Sequence, residues 1–140
     1  MDDLLRPSLQ EHEPAQADAA KPWRVSSQVY VGFFGGALAV GLIAFLNTYR
    51  LRCPDRSRLL VVGATLAGCA ATATMLVLGI ERPSFQVGGV TAYGLVYLIQ
   101  RRADRAFEIF DGDHESLVRP GIAAALAGWF LSLNVIVWAS

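Results

Sequence analysis

Charged residues are absent from four long apolar stretches of this 140-residue chain. The stretches cover residues 27–48, 59–80, 84–100 and 121–139, and none of them contains Lys, Arg, Asp or Glu. An α-helix rises ~1.5 Å per residue, so roughly 20 apolar residues cross a bilayer core of ~30 Å. A water-soluble helical bundle would instead carry charges every few residues along its outer faces. The pattern predicts an all-α integral membrane protein, a small bundle of four transmembrane helices.

The third stretch is the shortest of the four. Its 17 residues give ~25 Å of helix, and it contains Gly88, Gly89 and Gly94. It therefore either crosses with local thinning of the bilayer or enters the membrane and returns. We prefer a full crossing, because non-helical backbone at membrane depth must be buried in protein and a chain this short offers little for that purpose.

Residues 1–26 differ from the rest of the chain in composition. Acidic residues alternate there with prolines and small residues, and apolar side chains show no helical or strand period. The segment predicts a disordered polar tail. It is too long and too acidic to begin a secretory signal, so we expect residues 27–48 to remain as a membrane anchor.

The overall composition agrees with a membrane protein. The chain is 54% hydrophobic and 17% charged, against about 25% charged in soluble proteins. Cytoplasmic loops usually carry the excess of Lys and Arg. Four crossings and a re-entrant third stretch both give a split of eight basic residues against four, and both place residues 101–120 in the cytoplasm. Four crossings would leave both termini outside. Compactness and the arginine bias suit the plasma membrane of a bacterium, that is, a multi-pass inner-membrane protein.

Small residues recur four positions apart in every stretch, as in Gly32 with Gly36 and Gly88 with Ala92. Such spacing lets helix backbones approach closely, which is how helices associate in lipid. We therefore predict that six glycines mediate helix packing. They are Gly32, Gly36, Gly41, Gly68, Gly88 and Gly128.

Residues 101–120 combine apolar and basic positions. Apolar side chains at helical spacing alternate with charged ones up to Phe110, so we expect the third helix to continue as an amphipathic segment along the membrane surface. Asp111 and Gly112 should end it. Arg101, Arg102 and Arg105 are candidate contacts for anionic headgroups or for a partner protein.

One cluster, residues 111–115, has the residue types of a metal site. A calcium loop would need glycine at its sixth position and glutamate at its twelfth, where this chain has Ser116 and Ile122. A zinc motif of the H-E-x-x-H type fails because its last position is Val118. We expect no metal. A mostly helical stretch between Cys53 and Cys69 would hold them ~24 Å apart, too far for a disulfide bond.

The motifs of nucleophilic and phosphate-transfer enzymes are absent from the sequence, and the four stretches lack ionisable residues that a pump would need. We therefore expect neither catalysis nor a cofactor nor a nucleic-acid partner. The predicted function is that of a non-catalytic structural, assembly or regulatory partner, bound to another membrane protein or to itself in the lipid bilayer. The alternative is a small oligomeric pore or permease, lined by Gly88, Gly89, Thr91 and Asn134.

Overall fold

The computed structural model describes residues 20–110 and 113–139, and every regular element in these ranges is a helix. The helices are α1 (Gln28–Arg50), α2 (Asp55–Val77), α3 (Glu81–Phe110) and α4 (Val118–Ala139). A short 3-10 turn, Val25–Ser27, leads into α1. The predicted all-α class is thereby confirmed. Two helical stretches, Val25–Arg50 and Asp55–Val77, are long and apolar enough to cross a membrane, and Val118–Leu131 is a shorter apolar segment.

Proline and glycine mark the ends of the helices. Pro54 precedes α2 with extended backbone, and Pro83 and Pro120 lie in the first turns of α3 and α4. The first N–H groups of a helix have no acceptor within it, so proline is tolerated there. Gly79, between α2 and α3, has a φ of 76°, a left-handed conformation that favours glycine. The chain turns within residues 78–80, and α2 and α3 pack as an antiparallel pair.

Helix α1 reverses its direction at Gly36. This residue has φ 74° and ψ −170°, so two helical arms, residues 28–35 and 37–50, meet at a non-helical position. A Cβ atom on Gly35 would lie 2.5 Å from that of Ala39. In a straight helix, residues four apart have Cβ atoms roughly 5–6 Å apart. We call α1 the helical hairpin, with a first arm (28–35), a tip at Gly36 and a second arm (37–50).

Contacts at the open end of the hairpin show the same reversal. Trp23, which precedes the first arm, forms an isolated β-bridge with Glu115. Arg50, the last residue of the second arm, forms an ion pair with that same Glu115. A straight helix of 23 residues would hold its two ends ~34 Å apart. Both ends of the hairpin therefore lie at the N-terminus of α4, and we call this end the mouth.

Contacts with α3 show where the two ends of the hairpin lie along that helix. The ring of Phe85 lies against Gly36 at the tip, whereas Gln100, further along α3, lies beside Asn47 near the mouth. The hairpin packs against all three other helices and occupies the centre of the bundle. Its buried core includes Val40, fully enclosed.

The position of the reversal differs from the prediction. The sequence predicted a single crossing by residues 27–48 and offered residues 84–100 as the stretch that might re-enter. In the structure, α3 is one continuous helix through that stretch and on to Phe110, and the first stretch doubles back instead. The physical reason is Gly36, a predicted packing residue that makes a turn. The two arms measure ~12 and ~21 Å, so neither matches a bilayer core of ~30 Å.

The segment before α1 also differs from the prediction. Residues 1–19 of the predicted disordered tail lie outside the described residues. Within residues 20–26, however, Pro22, Trp23 and Val25 are buried against the bundle. These apolar side chains cover the mouth of the hairpin, so this part of the segment packs on the bundle.

The two ends of the bundle differ in charge. The mouth, the start of α2, the last turns of α3 and the start of α4 form one end, which we call the basic end. Of the eleven Lys and Arg residues in the described ranges, ten belong to segments at this end, and the remaining one is Arg82. Between the two ends, the exposed side chains on α2 and α4 are largely apolar. Leu66 on α2 and Leu126 on α4 are examples.

Candidate functional site at the helical hairpin

The side chain of Asn47 binds the backbone of Trp23 at the mouth. The N–H of Trp23 donates to Oδ1 of Asn47 at 2.8 Å, and Nδ2 of Asn47 donates to the carbonyl oxygen of Trp23 at 3.0 Å. Both hydrogen bonds are buried. A buried backbone group left unpaired costs roughly 1–3 kcal/mol, so this one amide satisfies two expensive groups. Asn47 thereby joins the beginning of the hairpin to its end.

Gln100 on α3 extends this polar contact to the neighbouring helix. Its Nε2 donates to the carbonyl oxygen of Ala44 at 2.7 Å, and its Oε1 accepts a longer hydrogen bond of 3.4 Å from Asn47. Gln100 and Asn47 are both fully enclosed. The two amides therefore fix the register of the second arm along α3.

Two polar groups at the mouth have no hydrogen-bond partner among the described residues. Gln28 is fully enclosed, and neither its side-chain nitrogen nor its oxygen is paired. The indole N–H of Trp23 is likewise buried and unpaired. Such groups are rare in folded proteins and reduce stability. At the mouth, the side-chain amide of Asn47 is therefore hydrogen-bonded, whereas that of Gln28 has no partner among the described residues.

Arg50 binds Trp23, Lys21 and Glu115 at the mouth. Its guanidinium lies 3.8 Å from the centre of the Trp23 ring, donates to the carbonyl oxygen of Lys21 at 2.8 Å and pairs with Glu115. A planar guanidinium can stack on a ring and donate in its own plane at the same time, which a lysine cannot do. Arg24 adds an exposed ion pair with Glu108 on α3 at 2.9 Å.

His114 forms a second polar contact near this end. Asp111 and Gly112, which were expected to end α3, lie outside the described residues. Nε2 of His114 lies 2.9 Å from Oδ1 of Asp104, and both side chains are largely buried. The ring of Phe107 packs edge-on against the imidazole, with centroids 5.2 Å apart. This contact attaches the segment before α4 to α3. No group of three or more potential metal ligands occurs in the described ranges.

Cys53 lies in the short connection between α1 and α2. It is buried, and desolvation raises the pKa of its thiol, while the positive charge of Arg58 acts in the opposite direction. Arg58 itself lies 4.0 Å above the ring of Tyr49 and pairs with Asp55. The connection is therefore packed rather than fully solvated.

The predicted packing glycines lie against neighbouring helices. The contacts are Gly32 with Gly89, Gly41 with Thr65, Gly68 with Gly88, and Gly128 with Gly35. A Cβ atom on Gly68 would come within 2.6 Å of the carbonyl oxygen of Gly88, so a larger residue would push α2 away from α3. Gly36 is different, because it combines a contact with Phe85 and the reversal of the chain.

Sequence reasoning missed several residues of this site. Gly35 and Gly89 were not assigned to packing, although each meets the backbone of another helix. Gln28, Asn47 and Gln100 were not singled out either. One signal was present: these are amide side chains inside or at the edge of stretches that otherwise carry no charge and few polar groups. In such surroundings an amide has to find a partner within the protein.

The three predicted contact arginines lie on the part of α3 that extends beyond the mouth. Arg101, Arg102 and Arg105 are exposed, and no ion pair or hydrogen bond joins them to another described side chain. All three belong to one helix at the basic end.

The residues proposed to line a pore do not share one path. Gly88 and Gly89 are buried by Gly68 and Gly32. Thr91 and Asn134 lie exposed on different helices, and each hydrogen-bonds a carbonyl oxygen of its own helix.

A cleft of about 760 Å³ opens at the hairpin tip, away from the basic end. Both arms, α2, α3 and α4 contribute to its walls. Its lining is mainly apolar and includes Phe33, Leu38, Phe85 and Trp129, with Glu81 as the carboxylate among the lining residues. No protein family, curated protein or solved structure matches this chain.

Proposed function

We propose that this chain is an integral membrane protein in which α2, α3 and α4 cross the bilayer and the helical hairpin enters and returns. Two observations support this arrangement. The exposed residues between the two ends of the bundle are largely apolar. The four long stretches named above, which form most of the helices, contain no Lys, Arg, Asp or Glu. Irregular backbone at membrane depth must be buried in protein, and Gly36 is enclosed by α3.

The same arrangement orients the protein. Because the hairpin returns Lys21 and Arg24 to the side of the other arginines, ten of the eleven basic residues in the described part of the chain share one side. Counting along the sequence had given the same split, eight basic residues against four, for both earlier alternatives, so it did not distinguish them. We place the basic end in the cytoplasm and the C-terminus of α4 outside, in the plasma membrane of a bacterium.

We further propose a non-catalytic role as a structural, assembly or regulatory subunit. The observation that carries this proposal is the close packing at the centre of the bundle. There the hairpin backbone meets the backbones of α3 and α4, and the buried polar side chains of the described residues are amides and hydroxyls. Arg101, Arg102 and Arg105 would provide the cytoplasmic contact with a partner. A pore of several copies is supported less well, because Thr91 and Asn134 use their polar groups within their own helices.

Cysteine accessibility tests the arrangement. In a C53S/C69S background, single cysteines are introduced by Ser26→Cys and Asp113→Cys at the basic end and by Ile80→Cys in the α2–α3 turn; all three positions are exposed. With a membrane-impermeant maleimide on intact cells, Ile80→Cys should be labelled, and the other two only after permeabilisation. Labelling of Ser26→Cys together with Ile80→Cys, but not Asp113→Cys, would instead show four full crossings.

The role is tested by purification in a mild detergent. We expect the protein to elute with itself or with a larger membrane protein, and the triple change of Arg101, Arg102 and Arg105 to Gln should release the partner. Arg56→Gln, at an exposed arginine of α2, is the matched control. A monodisperse monomer that carries no partner, or measurable solute flux in vesicles, would contradict the proposal.

A further inference from the structure

We propose that the cleft at the hairpin tip binds a membrane phospholipid with a primary-amine headgroup, that is, phosphatidylethanolamine. The inference rests on the membrane insertion proposed above and goes beyond it, because it assigns a specific ligand to one cavity. The acyl chain would lie under the tip, and the ammonium group would lie at Glu81.

The cleft exists because the hairpin is short. Its chain turns back at Gly36, whereas α3 begins beyond that level and α4 continues past Gly128, so the space between the helices below the tip is not filled by α1. In a bilayer, hydrocarbon or water must occupy such a space. The volume of about 760 Å³ lies within the ~300–1,000 Å³ of typical ligand sites.

The walls favour hydrocarbon over water. Aromatic and aliphatic side chains from both arms and from α4 line the cleft, among them Phe34, Leu38 and Trp129. The polar threonine in the wall, Thr72, already donates its hydroxyl to the carbonyl oxygen of Gly68 at 3.1 Å. Ordered water needs several polar partners, which the part of the wall formed by these apolar side chains and Thr72 does not supply. An acyl chain can replace it without leaving polar groups unpaired.

The polar part of the lining favours a headgroup that donates hydrogen bonds. When ionised, the Glu81 carboxylate can only accept hydrogen bonds, and none of the ion pairs between described side chains includes it. The hydroxyl of Ser84 donates a hydrogen bond to the backbone carbonyl oxygen of Glu81 at 2.7 Å. Gln86, also in the lining, has a buried side-chain oxygen that accepts no hydrogen bond from a described residue. An ammonium group offers three N–H donors and a positive charge, whereas phosphatidylcholine has no N–H and phosphatidylglycerol has no positive charge.

Tryptophan fluorescence provides the test, because Trp129 lines the cleft and Trp138 is 91% exposed near the end of α4. Two full-length variants, W138F and W129F, each keep one of these residues together with the buried Trp23. They are reconstituted in vesicles of dibrominated phosphatidylcholine, whose bromines quench nearby indoles, and unbrominated phosphatidylethanolamine or phosphatidylcholine is added stepwise.

For W138F, which reports on the cleft, the recovery of fluorescence should show a two- to fivefold preference for phosphatidylethanolamine, about the strength of a partly exposed ion pair. W129F should show no preference, because Trp138 contacts bulk lipid. Glu81→Gln should remove the preference at Trp129. Filling the cleft by Ala73→Phe should remove it too, whereas Ala70→Phe, at an exposed α2 position outside the lining, should not.

The outcomes separate the two proposals. Quenching of neither tryptophan would show that the bundle is not inserted, and the proposed function would fail with the lipid site. Quenching of both with equal lipid preference would leave insertion intact and overturn the phosphatidylethanolamine site. A preference that survives Glu81→Gln would overturn the assignment of the headgroup to Glu81.

Discussion

Asn47 and Trp23 are 24 residues apart in the chain, yet one side-chain amide of Asn47 pairs with both the N–H and the carbonyl oxygen of Trp23. An amide that bonds both the N–H and the carbonyl oxygen of one residue forms the same pair of hydrogen bonds that a residue on a neighbouring β-strand would form. It can form here only because the hairpin returns to its starting point. This contact therefore depends on the fold of the whole of α1 and reports directly on it.

Asn47→Ala should lower the free energy of unfolding by about 2–4 kcal/mol. The substitution leaves two buried backbone groups of Trp23 without partners, at roughly 1–3 kcal/mol each, and also removes the contact with Gln100. Unfolding of the purified protein in mild detergent, followed by circular dichroism, measures the change. Asn134→Ala is the matched control, since that exposed amide bonds only its own helix. Equal effects of the two changes would contradict the role of Asn47.

Gly36→Ala should destabilise the hairpin by about 2–5 kcal/mol. Alanine is strained at a φ of 74°, and its Cβ would lie 2.6 Å from the ring of Phe85, so the turn and its packing both suffer. In the cysteine assay above, the same substitution should make Ser26→Cys partly accessible from outside, because a straightened α1 is long enough to cross.

Two comparisons identify the cause of that effect. Gly63→Ala, on α2 with open space around the new Cβ, should leave stability unchanged or raise it by up to about 1 kcal/mol. Adding Phe85→Ala to Gly36→Ala removes the clash and retains the strained φ. If the double variant regained full stability, packing alone would explain the effect, and the need for glycine in the turn would be refuted.

The helical class and the approximate helix positions could be predicted from the sequence, because uncharged stretches and prolines depend only on local composition. The reversal at Gly36 could not. Residues 27–48 have the length and hydropathy of one crossing, and Gly35-Gly36 is as typical of close helix packing as of a turn. Which use applies depends on Phe85 and Gly89, which are distant in sequence.

The same limit applied to the site. The arginines at 101, 102 and 105 were visible as a basic cluster, since sequence neighbours on a helix stay together. The partnership of Asn47 with Trp23, and that of His114 with Asp104, joins residues on different elements. Their pairing follows from the fold, so no spacing rule in the sequence predicts it.

Arg50→Lys should reduce the free energy of unfolding by about 1–2 kcal/mol, although the charge is kept. Lysine cannot stack over the Trp23 ring while donating to the carbonyl oxygen of Lys21. Arg52→Lys, at an exposed residue of the adjoining turn, should have no effect. Chemical denaturation at low and high salt measures both. If high salt abolished the difference between Arg50 and its lysine variant, screening of the Glu115 ion pair would explain it and stacking would not.

Cys53 should react slowly with iodoacetamide in the folded protein, with an inflection in rate above the ordinary thiol pKa of 9.0, because burial disfavours the thiolate. The folded state thus favours the neutral thiol. Its contribution to stability is complete below the pKa of the unfolded thiol and is lost as the pH rises through the higher pKa of the folded thiol. Rates measured between pH 8 and 11 in a C69S background, against the protein unfolded in detergent, give both values.

Arg58→Gln separates the two influences on that thiol. The positive charge of Arg58 lowers the pKa of Cys53, opposing the larger effect of desolvation, so its removal should move the inflection to still higher pH and slow alkylation further. Arg56→Gln, at the neighbouring exposed arginine, should leave the inflection in place. An inflection that moved to lower pH in Arg58→Gln would mean that the change opens the α1–α2 connection to water, and that Arg58 protects Cys53 by packing on Tyr49 rather than through its charge.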